Sequence, residues 1–98
     1  MDAVYRFTAP LWIWKGDSAW HFVTLPFDQA DEIDDRTTLT QGGFGSVKVR
    51  VTVGSSVWDT SLFPSSSVES YILPMKAAVR KKERLVAGEP VDVTIELI

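Results

Sequence analysis

Apolar and polar residues alternate strictly over residues 47–53, where Val47, Val49, Val51 and Val53 are interleaved with Lys48, Arg50 and Thr52. A period of two puts the valines on one face and the polar side chains on the other, the pattern of a half-buried strand. Gly54-Ser55-Ser56 supplies a turn, and residues 57–63 return as a second strand that Pro64 is expected to stop. The same reading predicts a first strand over residues 3–14, with Tyr5, Phe7, Ala9, Leu11 and Ile13 on one face. Val4, Trp12 and Trp14 fall on the other, so both faces are expected to be partly covered, as in a barrel or sandwich. Pro10 has no N–H to give a ladder, which predicts a bulge, an edge position or a break there. Lys15-Gly16-Asp17-Ser18 reads as a hairpin turn. The strand after it, residues 19–25, sets Trp20, Phe22 and Thr24 against His21, Val23 and Leu25 and ends at Pro26.

Twice the period lengthens to that of a helix. Over residues 28–36, Asp28 can act as N-cap, with further carboxylates in the early turns and Ala30 and Ile33 as anchors. Residues 37–45 form a polar, glycine-rich loop, residues 65–67 another, and residues 69–73 a short strand. Pro74 suits the first turn of a second helix. Met75, Ala78, Val79 and Leu85 then share one side, with Lys76, Arg80, Lys81 and Arg84 on the other. Lys82 falls inside the apolar stripe, so either the helix ends near it or its stem snorkels to solvent. After Gly88, Val91, Val93, Ile95 and Leu97 alternate with Asp92, Thr94 and Glu96 in a last strand. The expected fold is mainly β: a small closed six-stranded barrel with two short helices, one domain over residues 1–98.

Composition narrows the class. The chain has 98 residues, 45% of them hydrophobic and 23% charged, which is ordinary for a folded domain rather than a disordered one. It has no cysteine, which removes disulfides, thiolate metal sites and cysteine nucleophiles. Neither a secretory leader nor an apolar run of the ~18 residues needed to span a bilayer is evident, and a cytoplasmic location is expected. A net charge of −3 works against a broad surface for nucleic acid or anionic membrane. That charge is uneven: Asp28, Asp31, Glu32, Asp34 and Asp35 form an acidic run, and Lys76, Arg80, Lys81, Lys82 and Arg84 a basic one.

Catalytic constellations are thin. His21 is the only histidine and shares a strand face with Val23 and Leu25, so it reads as a packed or surface residue rather than a general base. Thr60 and Ser61 lie near Trp58, but no spacing brings His21 to them, and triads are recognised by geometry. The acidic run lacks the glycine and terminal glutamate of a calcium loop and reads as a solvated helix face. Gly42-Gly43-Phe44-Gly45 opens a strand and not a helix, so it reads as a turn and not a phosphate cradle. No metal, cofactor or catalytic residue is expected. Trp12, Trp14, Trp20 and Trp58 read as core or barrel-end plugs or, alternatively, as a stacking platform in a pocket.

Taken together, Gly43-Phe44-Gly45-Ser46-Val47, Thr60-Ser61-Leu62-Phe63-Pro64, the segment from Leu73-Pro74 to Arg80-Lys81, and Gly88-Glu89 with Val91 form a pattern. With Phe7, Trp20 and Leu25-Pro26 upstream, the chain resembles the bacterial domains of unknown function numbered nineteen-oh-five. The resemblance spans nearly the whole chain. It departs at Gly88-Glu89, where relatives favour Gly-Asp. It implies a small closed β-barrel of the double-split type shared with AbrB-like transition-state regulators. Some relatives carry a second domain of the bacteriocin-protection, OmpD-associated kind. The resemblance brings no activity or catalytic residue with it.

The functional expectation is a binding or interaction module that recognises an anionic partner, a protein or a small molecule, through Arg80, Lys81 and Arg84. Lys48 and Arg50 on the outer face of the central strand, and Trp58, are further candidates. One alternative is a small-ligand or enzyme site at the barrel mouth, built from tryptophans with Thr60 and Ser61. Another is AbrB-like nucleic-acid binding, which the acidity disfavours. A homodimer joining the acidic helix of one copy to the basic helix of another is a third.

Overall fold

The computed structural model describes residues 3–16 and 19–98. Seven strands are present: β1 (Val4–Pro10), β2 (Trp12–Lys15), β3 (Ala19–Thr24), β4 (Val47–Val53), β5 (Ser56–Ser65), β6 (Ser70–Pro74) and β7 (Pro90–Leu97). Two helices join them, α1 (Phe27–Thr37) and α2 (Ala77–Lys82). The strands form one antiparallel sheet in the order β1-β7-β4-β5-β6-β3-β2.

The sheet curls into an open half-barrel of seven strands, not the closed six-stranded barrel expected from the sequence. Its two edges, β1 and β2, are consecutive in the chain. The single strand expected over residues 3–14 is broken at Leu11, next to Pro10. Leu11 donates its N–H to the Glu89 carbonyl at 3.0 Å, and its own carbonyl accepts from the Gly88 N–H at 2.7 Å. The backbone groups that would carry one ladder across the bend are thus taken up by the turn before β7. On one side of the bend Tyr5 faces Ile95 and Pro10 faces Pro90, while on the other Trp12 faces Phe22 and Trp14 faces Trp20. Among the described residues no ladder joins β1 to β2, so the sheet stays open.

The period-two pattern does place the core. Val49, Val51, Leu62, Leu73, Ile95 and Val23 line the concave face with essentially no exposure. Several boundaries differ from expectation, each for a local reason. β5 runs through Pro64 to Ser65. β4 has already ended at Val47, opposite Leu62, so Pro64 has a ladder neighbour only on the β6 side and its missing N–H is tolerated. The expected turn Gly54-Ser55-Ser56 contracts to Gly54-Ser55, with Ser56 already in β5. The expected hairpin turn before β3 includes Asp17 and Ser18, which lie outside the described residues.

Helix α1 begins one residue before Asp28. Pro26 occupies the N-cap with no side-chain cap, and its carbonyl accepts from the Ala30 N–H at 2.9 Å. Ala30 and Ile33 anchor the helix to the core as expected. Pro74 is not helical but closes β6, because the Met75 N–H still bonds the His21 carbonyl at 2.9 Å and keeps the chain on β3. α2 therefore starts only at Ala77. It ends at Lys82, which resolves how a lysine came to fall within the apolar stripe. The residues Gly43–Gly45 form a 3-10 turn leading into β4, as a turn reading requires.

The end of α2 is tied to the β4–β5 hairpin. Gly54 has φ +57°, a conformation that favours glycine, and a Cβ there would displace the Glu83 carboxylate from the hairpin. That carboxylate accepts from the Ser56 hydroxyl at 2.6 Å, the Ser55 hydroxyl at 3.1 Å and the Ser55 N–H at 3.4 Å. The Ser56 hydroxyl above all holds the Glu83 carboxyl below its ordinary value of 4.5. A carboxylate with a lowered folded pKa stabilises the fold above its ordinary value and loses that contribution as the pH falls through the folded one. Glu83→Gln should therefore flatten part of the loss of stability on acidification below about pH 4.5. Urea midpoints of the two proteins between pH 6 and 3 check this. Parallel profiles would exclude the carboxylate lock.

Candidate functional site

β6 stops at Pro74 while both its neighbours run on. Pro74 faces Phe22 of β3, and Ile72 faces Phe63 of β5. Residues 19–21 of β3 and 58–60 of β5 thus extend beyond the end of the strand between them, and the chain turns away through Met75 and Lys76 into α2. The gap is a cleft of about 410 Å³ lined by Trp20, His21, Trp58, Asp59, Thr60 and Arg80, with Ala19, Pro74, Met75, Lys76 and Ala77 completing it.

Arg80 is half-buried in this cleft and held from two sides. Its Nε donates to the Met75 carbonyl at 2.9 Å, and its Nη1 donates to His21 Nε2 at 3.3 Å. A guanidinium has only donors, so Nε2 must accept, and a neutral His21 ring carries its proton on Nδ1. That Nδ1 is buried and has no hydrogen-bond partner among the described residues. Trp58 packs partly against the core and supplies an aromatic wall. Asp59 also lines the cleft, but Arg50 takes up its carboxylate with two bonds of 2.8 and 3.1 Å. The Arg50 hydrogen bond holds the Asp59 carboxyl below its ordinary value of 3.8.

Of the residues singled out from sequence, Arg80 and Trp58 meet in this cleft, together with Thr60. The neighbouring Ser61 does not line it. Lys81 and Arg84 are exposed and lie outside the lining, Arg84 beyond the helix end at φ +55°. Lys48 lines a different cavity with Thr37, Thr40 and Ile98. Arg50 sits between the facing strands of β4's neighbours, bonded to Asp59 and 3.9 Å from Glu96, so its charge is engaged within the protein. The basic residues therefore do not converge on one site. Trp20, one of the tryptophans read alternatively as a stacking platform, lines the cleft too, whereas His21 and Lys76 join it without having been singled out as ligand-binding residues. His21 lies on the inward phase of its strand with Val23, but only the β3–β6 register brings it to Arg80. Among the described residues, no three histidine or acidic side chains converge as a metal ion would need. No helix is long and apolar enough to cross a membrane.

Fold and cleft together define a small antiparallel half-barrel whose sheet parts at one point over an oriented arginine. Residues 7–95 match the family described as Domain of unknown function (DUF1905), and the chain belongs to that family, as its motifs indicated. No curated protein matches the chain.

Proposed function

We propose that this protein is a binding module for a small anion, taken up in the cleft at Arg80 beside Trp58. The observation that supports it is the state of Arg80. Its guanidinium is oriented by a carbonyl and an imidazole of its own chain, and no carboxylate pairs with it among the described residues. Two of its five N–H donors are used in this way. The Nη1 and Nη2 end retains donors in the fork geometry that suits a carboxylate or phosphate. Lys76 adds a second positive charge, Thr60 a hydroxyl and Trp58 an apolar wall, while Arg50 offsets the one nearby carboxylate. The scattering of the other cations and the net charge of −3 favour a small anion over a nucleic acid.

Butyrate is a simple probe, followed by NMR at the Trp58 indole and the Arg80 Nε–H. Arg80→Gln should weaken its binding by about tenfold to a hundredfold, the worth of charge-assisted hydrogen bonds. The exposed Lys81→Ala and Arg84→Ala should change it little. Binding that survives Arg80→Gln undiminished, or an absence of any shift at Trp58, overturns the reading. A loss on Lys81→Ala and Arg84→Ala of the same size would instead point to the whole basic helix.

A further inference from the structure

We infer that the ligand of this cleft is an amphipathic monocarboxylate of medium chain length. Its carboxylate sits on Arg80 and its hydrocarbon tail lies along the apolar outer face of β2, β3, β6 and β5. The inference rests on the anion-binding reading above and extends it to a ligand class.

The outer face of this half of the sheet is apolar where solvent would ordinarily select polar residues. Register accounts for it: Trp14 faces Trp20, Phe22 faces Pro74, and Ile72 faces Phe63, a patch running across four strands. The alternate residues His21, Val23 and Leu73 point to the other side. Trp14, Trp20 and Phe63 are 51%, 55% and 43% exposed, so among the described residues they are left about half open to solvent. Between them runs a trough of about 370 Å³ lined by Trp14, Trp20, Phe22, Phe63, Ile72 and Pro74. At its rim the Trp14 indole lies over Gly16, where a Cβ would overlap the ring.

The trough and the cleft adjoin: Trp20 and Pro74 line both, so the apolar trough on the outer face borders the cleft in which Arg80 sits. A single small molecule with one charged head and one apolar tail matches that sequence of surfaces. Apart from the two indole N–H groups, the trough offers nothing to hydrogen-bond, which suits a hydrocarbon and not a peptide backbone.

Decanoate tests the inference, with butyrate as the short acid and decanol as the uncharged chain, all below micelle-forming concentration and read by calorimetry. A half-covered methylene is worth about twofold in affinity, so the six additional methylenes of decanoate should bring it to roughly sixtyfold tighter than butyrate. Phe63→Ser combined with Ile72→Thr, both on the solvent side and checked for folding by circular dichroism, should compress that ratio below about tenfold. Arg80→Gln should weaken both acids and bring decanoate to the level of decanol. Equal affinities for butyrate and decanoate, both lost in Arg80→Gln, would overturn the tail while leaving the anion reading standing. Decanoate and decanol binding alike, with or without Arg80, would overturn both. A stable dimer in sedimentation that Phe63→Ser dissociates, with decanoate leaving Trp14 and Trp20 unperturbed, would assign the face to a second copy and overturn the inference.

Discussion

Leu11→Ala is expected to remove about 2–5 kcal/mol of folding stability, the range for a buried leucine whose site cannot fully collapse. Leu11 is 1% exposed and sits at the bend where β1 becomes β2. Its neighbours approach from opposite edges of the sheet, so a cavity there faces two strands that share no ladder. The cost should lie near the top of the range, because at the bend itself the backbone is tied to Glu89 and Gly88 through Leu11, whose side chain is packed in the core. Urea unfolding measures the loss, and amide exchange should show Leu11 and Gly88 opening before the amides of β4. A loss under about 1 kcal/mol, typical of a site that collapses or is exposed, would mean that the bend does not depend on this side chain.

Ile33→Ala is the second large effect, again about 2–5 kcal/mol. Helix α1 has eleven residues, and isolated helices of that length are marginal in water. Its sequence adds little of its own, with Asp28, Asp31, Glu32, Asp34 and Asp35 crowding one short helix. The one ion pair, Arg36 to Glu32 at 3.0 Å, is half exposed at both ends and worth about 0.3–0.5 kcal/mol. Bonds from Gln29 to the Arg6 carbonyl and from the Tyr71 hydroxyl to Asp34 tie α1 at the surface. What chiefly holds it is burial of Ala30, Ile33 and Thr37, of which only Ile33 is large and it is fully covered. Removing it should both leave a cavity and free the helix, with loss of helical circular dichroism ahead of the main transition. Glu32→Ala should cost only a few tenths of a kcal/mol by comparison. Similar losses for the two variants would contradict this account.

The site was legible only in pieces. Arg80 and Trp58 stand out in the sequence as a cation in a basic run and a tryptophan on a strand, yet nothing local says that they meet. His21 carries the right phase to face inward, which sequence reading turns into packing, since one strand cannot reveal its partner across the sheet. The cleft exists because β6 ends at Pro74 before its neighbours do, and that mismatch is a property of three strands from separate parts of the chain. Arg50 illustrates the converse. Alternation alone puts it on an outer face as an available cation, whereas pairing sets Asp59 and Glu96 on either side and engages its charge.

By itself the sequence determined most of the elements and their buried faces, though not all their boundaries, because period two, period 3.6 and turn glycines act over a few residues. It carried the family as well, in motifs spread from Phe7 to Val91. Only the tertiary structure decided that β1 and β2 part at Leu11 and leave the sheet open, and that β6 ends short of its neighbours and leaves Arg80 in a cleft bordered by an apolar trough. Those outcomes depend on register and on which backbone groups are already taken. They are settled between strands far apart in the chain, by hydrogen bonds that no local pattern encodes.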